Sequence, residues 1–490
     1  MLQLIPATRC EAHRRSSEFH LSSRYRPQKR AIRRRDCIPV AKRFLKRYLP
    51  TKLENQRQGG AKPGPRPGAP LNGATKRHGA TIVKAAVKHL VLPRLALKSV
   101  TAAASPLPPG GRDLRLDLFR GIALWLIFLD HIPQNVVNWF TIRNYGFSDA
   151  TEIFIFISGY TAAFVYGRAM RERGIIVASA RVLRRAWQIY VAHIFLFTIF
   201  MAEIAYVGAT FENPLYAEEM NILDFLKQPD VTIFQALILK FKPVNMDVLP
   251  LYIMLLLFFP PMLWLLIQQP ALALAGSALV YVLAWNLDWN LPAYPNGAWF
   301  FNPFAWQLLF VFGAWCALGG AQRLSAALRS RGVLAIAITY LVFAFAVTLT
   351  WYVESLRRFV PIWLSDWMYP IDKTNLDVLR FTHFLALAAV TVHFVPRDWP
   401  WLKSPFLRPA ILCGQHSLEI FCLGVFLAFA GQFIISEWSG GPLIQMFISL
   451  VGILIMVATA SLISWYKQIE GRSPTGRSKP PDADLAGGEA

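Results

Sequence analysis

Residues 114–139, LRLDLFRGIALWLIFLDHIPQNVVNW, place Asp117, Arg120, Asp130 and His131 in an otherwise apolar stretch. Ionisable groups in a segment of membrane-spanning length are rare and usually face a polar interior or cavity, so all four are candidates for chemistry. A histidine suits proton uptake near neutral pH, a neighbouring carboxylate can orient its ring, and an arginine can hold phosphate or carboxylate. Arg120 and His131 are about eleven residues apart, which is about three helical turns and roughly 16 Å of rise, so a helix puts them on one face. Asp117 falls within about 60° of that face, whereas Asp130 points about 100° away from His131. Pro133 predicts a kink around His131, because its ring clashes with the carbonyl of Leu129.

Further candidates follow along the chain. Asp149-Ala-Thr-Glu152 fits a capping box, and Glu152 is equally placed to be a carboxylate beside His131 if a short loop returns the second span to the first. Arg181, Arg184 and Arg185 open the third span as a topology anchor or as a site for an anionic ligand with phosphates. His193 and Glu203 further along that span read as satisfied interior groups. In WFFNPFAWQLLFVFGAW (299–315), Asn302 with Pro303 breaks the start of a span and Gln307 sits one turn deeper. In YPIDKTNLDVLRFTHF (369–384), Asp377, Arg380 and His383 drift round one side of a helix, and an Asp377–Arg380 pair is the plain reading. CGQHSLEIFCLG (413–424) carries His416, Ser417 and Glu419 inside an apolar segment. A lone membrane histidine is more often a helix contact than a catalyst.

The elements that must position these groups are membrane helices. The chain is 54% hydrophobic and only 16% charged, and its apolar residues come in long blocks. Ten spans are expected, at about 116–139, 149–167, 186–208, 248–268, 271–287, 300–320, 332–353, 376–395, 410–435 and 443–466. The fold class is an all-α, polytopic transmembrane bundle. Basic residues gather in alternate loops: Arg168 to Arg185, then Arg323, Arg329 and Arg331, then Arg397, Lys403 and Arg408, with Lys467 and Arg472 at the end. On the other side the loop after the first span holds Arg143 only, the loop at 289–299 holds no basic residue, and the longer loop 209–247 leans acidic. Positive loops stay inside, so both termini are expected in the cytoplasm.

The net charge of +22 is concentrated before the first span, where residues 1–100 hold about 24 Lys/Arg against about 4 Asp/Glu. RAIRRR (30–35), KRFLKR (42–47) and the Gly/Pro run GGAKPGPRPGAP read as a disordered cytoplasmic arm, 1–112, that touches anionic lipid and not nucleic acid. No Met lies between Met1 and Met170, so an alternative reading makes the arm a product of start-site assignment. The membrane domain then covers 113–466 and a disordered tail 467–490. Five cysteines (Cys10, Cys37, Cys316, Cys413, Cys422) show neither a disulfide framework nor zinc spacing, and no metal site is expected. A secondary transporter of an anion or glycan would also use intramembrane His, Asp and Arg, but it should show two related halves, and none is visible.

Leu116-Asp117 followed by FRGIA, Arg120 with ten residues before His131, FISGY (156–160), the Arg181/Arg184 pair and GQHSLEIF (414–421) together resemble the membrane acyltransferase family 3. Within it, FNPFAWQLLFVFGAW, DKTNL with the later Arg380 and His383, and GQHSLEIFCLG are similar to the OpgC branch, which modifies osmoregulated periplasmic glucans with succinyl groups. The similarity covers about 113–466. Asp130 before and Pro133 after His131 depart from the simpler helix the wider family often has there. The resemblance implies a multi-pass bacterial inner-membrane enzyme that moves an acyl group from cytoplasmic acyl-CoA, succinyl-CoA first, to a hydroxyl of a periplasmic glucan or other glycan. It implies His131 as base with Asp130 or Glu152, Arg120, Arg181 and Arg184 on the donor, and Asn302, Gln307, Lys373, Asn375, Arg380, His383 and His416 along a pore toward the acceptor. Direct transfer and a covalent acyl-enzyme both remain open on these residues.

Overall fold

Asp113 starts the first helix, α1 (Leu114–Asp130), by accepting a hydrogen bond from the backbone N–H of Arg115. The structure is a computed structural model and describes residues 113–471 apart from 134, 212–214 and 439. The expected basic arm, most of the expected tail, and Cys10 and Cys37 lie outside the described residues. α1 ends at its C-cap His131, whose N–H still reaches the carbonyls of Ile127 and Phe128; a separate 3-10 turn follows at Val136–Phe140. The expected span through 139 with a kink at His131 is therefore corrected. Proline lacks the N–H needed to continue the ladder, and here it terminates the helix instead of bending it.

The capping box expected at Asp149 is present and opens α2 (Ala150–Thr210): Thr151 N–H donates to Asp149 Oδ1 at 2.8 Å, and Asp149 N–H donates to Glu152 Oε2 at 2.9 Å. α2 covers both the second and third expected spans. The basic loop expected between them is helical except at Gly174 (φ 83°, ψ 171°), a backbone state that glycine adopts without the Cβ penalty. Then come α3 (Val248–Gln268), α4 (Pro270–Asn286), α5 (Pro303–Trp315), α6 (Arg331–Tyr352) and α7 (Val378–Phe394). The ninth expected span is two helices, α8 (Arg408–Gln415) and α9 (Ser417–Glu437), which meet at His416, and α10 (Pro442–Ile469) is the last. α10 carries Lys467 within the helix, beyond the expected domain end at 466.

α1 packs against α8, α2 and α9, and α5 packs against α2 and α4. Glycine sets how close these helices come. A Cβ on Gly121 would lie 1.8 Å from the Ala410 carbonyl oxygen, and one on Gly414 1.8 Å from that of Asp117, so α1 and α8 touch backbone to backbone. Gly159 and Gly313 serve α2 and α5 in the same way.

Six helices among the described residues are long and apolar enough to cross a membrane: α2, α3, Pro303–Arg329 (which contains α5), α6, α9 and α10. α4 and α7 are shorter apolar helices. α6 and α10 turn Ile336, Val342, Leu443, Leu450 and Leu454 outward, as helices bathed in lipid do. The fold is an all-helical membrane bundle.

Candidate active site

Arg120 lies nearly two turns into α1, and His131 is its C-cap. Toward the first end, Arg120 is buried and its Nη2 donates to Thr161 Oγ1 at 2.5 Å and to the Ile157 carbonyl at 3.3 Å, both on α2. Its guanidinium lines a cavity of about 110 Å³ together with Ser158, Thr161, Arg185, Tyr252 and Ser417. Ser417 is the first residue of α9, which begins without a side-chain cap. The positive end of the α9 dipole therefore adds to two arginines, and the cavity favours an anion.

Arg181 and Arg184 are exposed, and neither lines this cavity. Arg185, which the sequence reading grouped with them without choosing it, does line it. Arg181 sits one turn before Arg185 on the same face of α2, toward the surface. His416 also belongs to this end, next to Ser417, and not with the other pore residues. Its Nε2 meets Ser464 Oγ at 2.7 Å, and its Nδ1 meets Lys467 Nζ at 3.2 Å.

At the other end, His131 is half-buried, and its Nδ1 lies 2.5 Å from the Ile127 carbonyl oxygen. A carbonyl only accepts, so Nδ1 carries the proton and Nε2 presents the lone pair. The expected orienting carboxylates do other work. Asp130 receives Arg143 Nη1 on its backbone carbonyl at 3.3 Å, and its buried Oδ1 has no partner among the described residues. Glu152, fully buried, pairs with Arg380 at 2.6 Å besides closing the capping box. The carbonyl takes the orienting role because α1 stops at His131, leaving the ring free to fold back over its own last turn.

At the starts of α2 and α7 and in the loop before α7, Glu152, Asp149, Arg380 and Lys373 form a quartet. Arg380 Nη2 is 3.1 Å from Asp149 Oδ2, and Lys373 Nζ is 2.5 Å from the same oxygen. The Asp377–Arg380 pair is thus corrected: Asp377 caps α7 by accepting from Leu379 N–H at 2.8 Å, while the Arg380 guanidinium is taken up by Glu152 and Asp149 of α2. His383 Nδ1 accepts from Ser148 N–H at 3.3 Å and meets Ser148 Oγ at 2.7 Å. The Lys373 loop is tied to α5 through Asn302, whose Nδ2 donates to Asn375 Oδ1 at 2.7 Å while its Oδ1 caps Phe304 N–H at 3.0 Å. Asn302, Lys373, Asn375, Arg380 and His383 are therefore one connected group. Gln307 is apart from them, bonded to Ser277 Oγ at 2.6 Å as a tie between α4 and α5.

Two groups read as satisfied are not: His193 Nδ1 and Glu203 Oε2 are buried without a hydrogen-bond partner among the described residues. In the segment before α3, Lys242 is buried with its Nζ 4.0 Å from the centre of the Trp299 ring. Burial lowers the Lys242 pKa to about 8, offset in part by Asp247, and burial raises that of Asp247 to about 6, offset in part by Lys242.

A second cavity, of about 10 Å³, lies at His131 and is otherwise lined by apolar groups of α1 and α9. The bundle thus holds an anion-favouring cavity and an imidazole with a free lone pair about three turns apart along one helix. No curated protein and no solved structure matches the chain. The family described as OpgC protein matches residues 112–468, well over half of the chain and the whole of this site, and the chain belongs to that family.

Proposed function

We propose that this protein is a membrane O-acyltransferase that moves an acyl group, succinyl first, from acyl-CoA in the cytoplasm to a hydroxyl of a periplasmic glucan. The enzyme sits in the bacterial inner membrane with both termini inside. The observation that carries this reading is the disposition of α1: a buried arginine in an anion-favouring cavity, and a histidine with its Nε2 free about three turns away.

Arg120 and Arg185 hold the phosphates of the donor, with Arg181 and Arg184 outside the cavity mouth. Thr161 and the Ile157 carbonyl fix the Arg120 fork before the donor arrives, which lowers the ordering cost of binding. The acceptor hydroxyl gives its proton to His131 Nε2 as its oxygen attacks the thioester carbonyl carbon. The new C–O bond forms and the C–S bond breaks. The imidazolium then returns the proton to the departing thiolate. The Ile127 carbonyl holds the ring throughout, because it bonds the Nδ1–H of both the neutral and the charged imidazole. The connected group at Asn302, Lys373, Asn375, Arg380 and His383 shapes the acceptor end.

The test is transfer itself. Purified full-length protein in proteoliposomes should move label from succinyl-CoA to an added linear or cyclic glucan, and mass spectra of periplasmic glucans should lose the succinyl increment when the gene is deleted. Unlabelled glucan in the first assay together with unchanged spectra in the second would refute the proposal.

A further inference from the structure

The two cavities share one wall, and that wall is Phe421. Phe421 lines the cavity of about 110 Å³ at Arg120 and also the cavity of about 10 Å³ at His131. Phe421 is 3% exposed and is braced by Phe154, whose ring centre lies 6.0 Å away. On α1, Arg120, Leu124, Ile127 and His131 follow one another at helical spacing and form a single stripe. On α9, Ser417, Phe421, Gly424 and Val425 form the facing stripe, with Ser417 at the Arg120 end and Gly424 and Val425 at the His131 end. A seam between α1 and α9 therefore runs from one cavity to the other, and Phe421 stands across it.

We propose that Phe421 is a specificity-determining partition that limits which acyl groups reach His131, favouring short ones. This rests on the acyl-transfer reading. The space beyond the ring is about 10 Å³, near the minimum that holds one water, and its lining offers His131 as the one polar side chain. Each additional methylene must displace side chains from a packed interior, which is unfavourable. Removing the Phe421 ring joins the two cavities and lifts that limit.

The experiment compares full-length wild-type protein with Phe421→Ala and Phe421→Leu in proteoliposomes, using succinyl-CoA, butyryl-CoA and octanoyl-CoA with the same glucan. The kcat/KM ratio for octanoyl over butyryl should rise about tenfold or more in Phe421→Ala and less in Phe421→Leu, in the range that pocket methylenes discriminate. An equal loss with all three donors would mean a packing role only and would overturn the proposal. A second measurement needs no acyl transfer: in Val425→Cys, alkylation at position 425 by a thiol reagent, read by fragment-ion mass spectrometry, should accelerate about tenfold when Phe421→Ala is added. An unchanged rate would also overturn it. If the wild type transfers no acyl group, the functional reading fails while the alkylation rates still decide whether Phe421 divides the seam.

Discussion

Because the Nδ1–H of His131 donates to the Ile127 carbonyl, the ring can accept a second proton at Nε2 only. His131→Ala should lower the acyl-transfer rate by about 10²–10⁴-fold, the usual yield of general acid–base catalysis, while membrane insertion and melting temperature hold. Arg185→Ala should raise the KM for succinyl-CoA about tenfold, equivalent to about 1.4 kcal/mol, and leave kcat nearly unchanged. Arg181→Ala should raise it less, and titration of donor against the three proteins separates them. The Arg120–His131 relation was legible because helix phase follows from counting along one helix. The choice of Arg185 over Arg181 and Arg184 was not, since it depends on how α2 is rotated against α1, and no spacing within α2 reports that. Nor was the orienting carbonyl, which exists only because α1 ends where a kinked continuation was expected.

Between elements, the decisive contacts are bare backbone. Gly121 and Gly414 let α1 and α8 meet with no side chain in between, and this contact sits within one turn of Arg120. Gly414→Ala puts a methyl group 1.8 Å from the Asp117 carbonyl oxygen, a clash with rigid backbone that should destabilise by about 1–3 kcal/mol. Its melting temperature in detergent should fall, and donor affinity should fall with it as Arg120 shifts. Gly424→Ala meets its nearest atoms at 3.5 Å and 3.8 Å, ordinary contact distances, and should melt near the wild-type temperature. Ser158, Gly159, Ala162 and Ala163 are small residues at a spacing that permits close helix approach, and Gly159 supplies it against α5. Gly121 and Gly414 carried no such cue, because the partner of each lies almost three hundred residues away in sequence. The helix starts were the most readable features: Asp149 and Glu152 bond as their spacing predicts, since a cap is a local interaction.

For the whole molecule, the site and the family match both begin near residue 112. Protein lacking residues 1–100 should insert and transfer acyl groups like the full chain, which the same proteoliposome assay measures. Global stability should also respond to pH through Lys242 and Asp247. Unfolded, Asp247 ionises near 3.8, and folded it ionises at about 6, so stability falls as pH rises across that interval. Lys242 loses its proton at about 8 when folded and near 10.5 when unfolded, so stability rises across that second interval. The pair therefore contributes a minimum between about pH 6 and pH 8. Melting curves of the combined Lys242→Met and Asp247→Asn variant should lose that dip.

The charge quartet of α2 and α7 also bears on how the proposed enzyme lets go. Asp149 and Glu152 are balanced by Lys373 and Arg380, two charges of each sign. Under the proposed function, a glucan that has gained a succinyl carboxylate is one charge more negative than the glucan that entered, and this quartet has no surplus cation to hold it. Release of the modified chain should therefore stay fast as product accumulates, and the succinylated glucan should be a poor competitor of its own precursor.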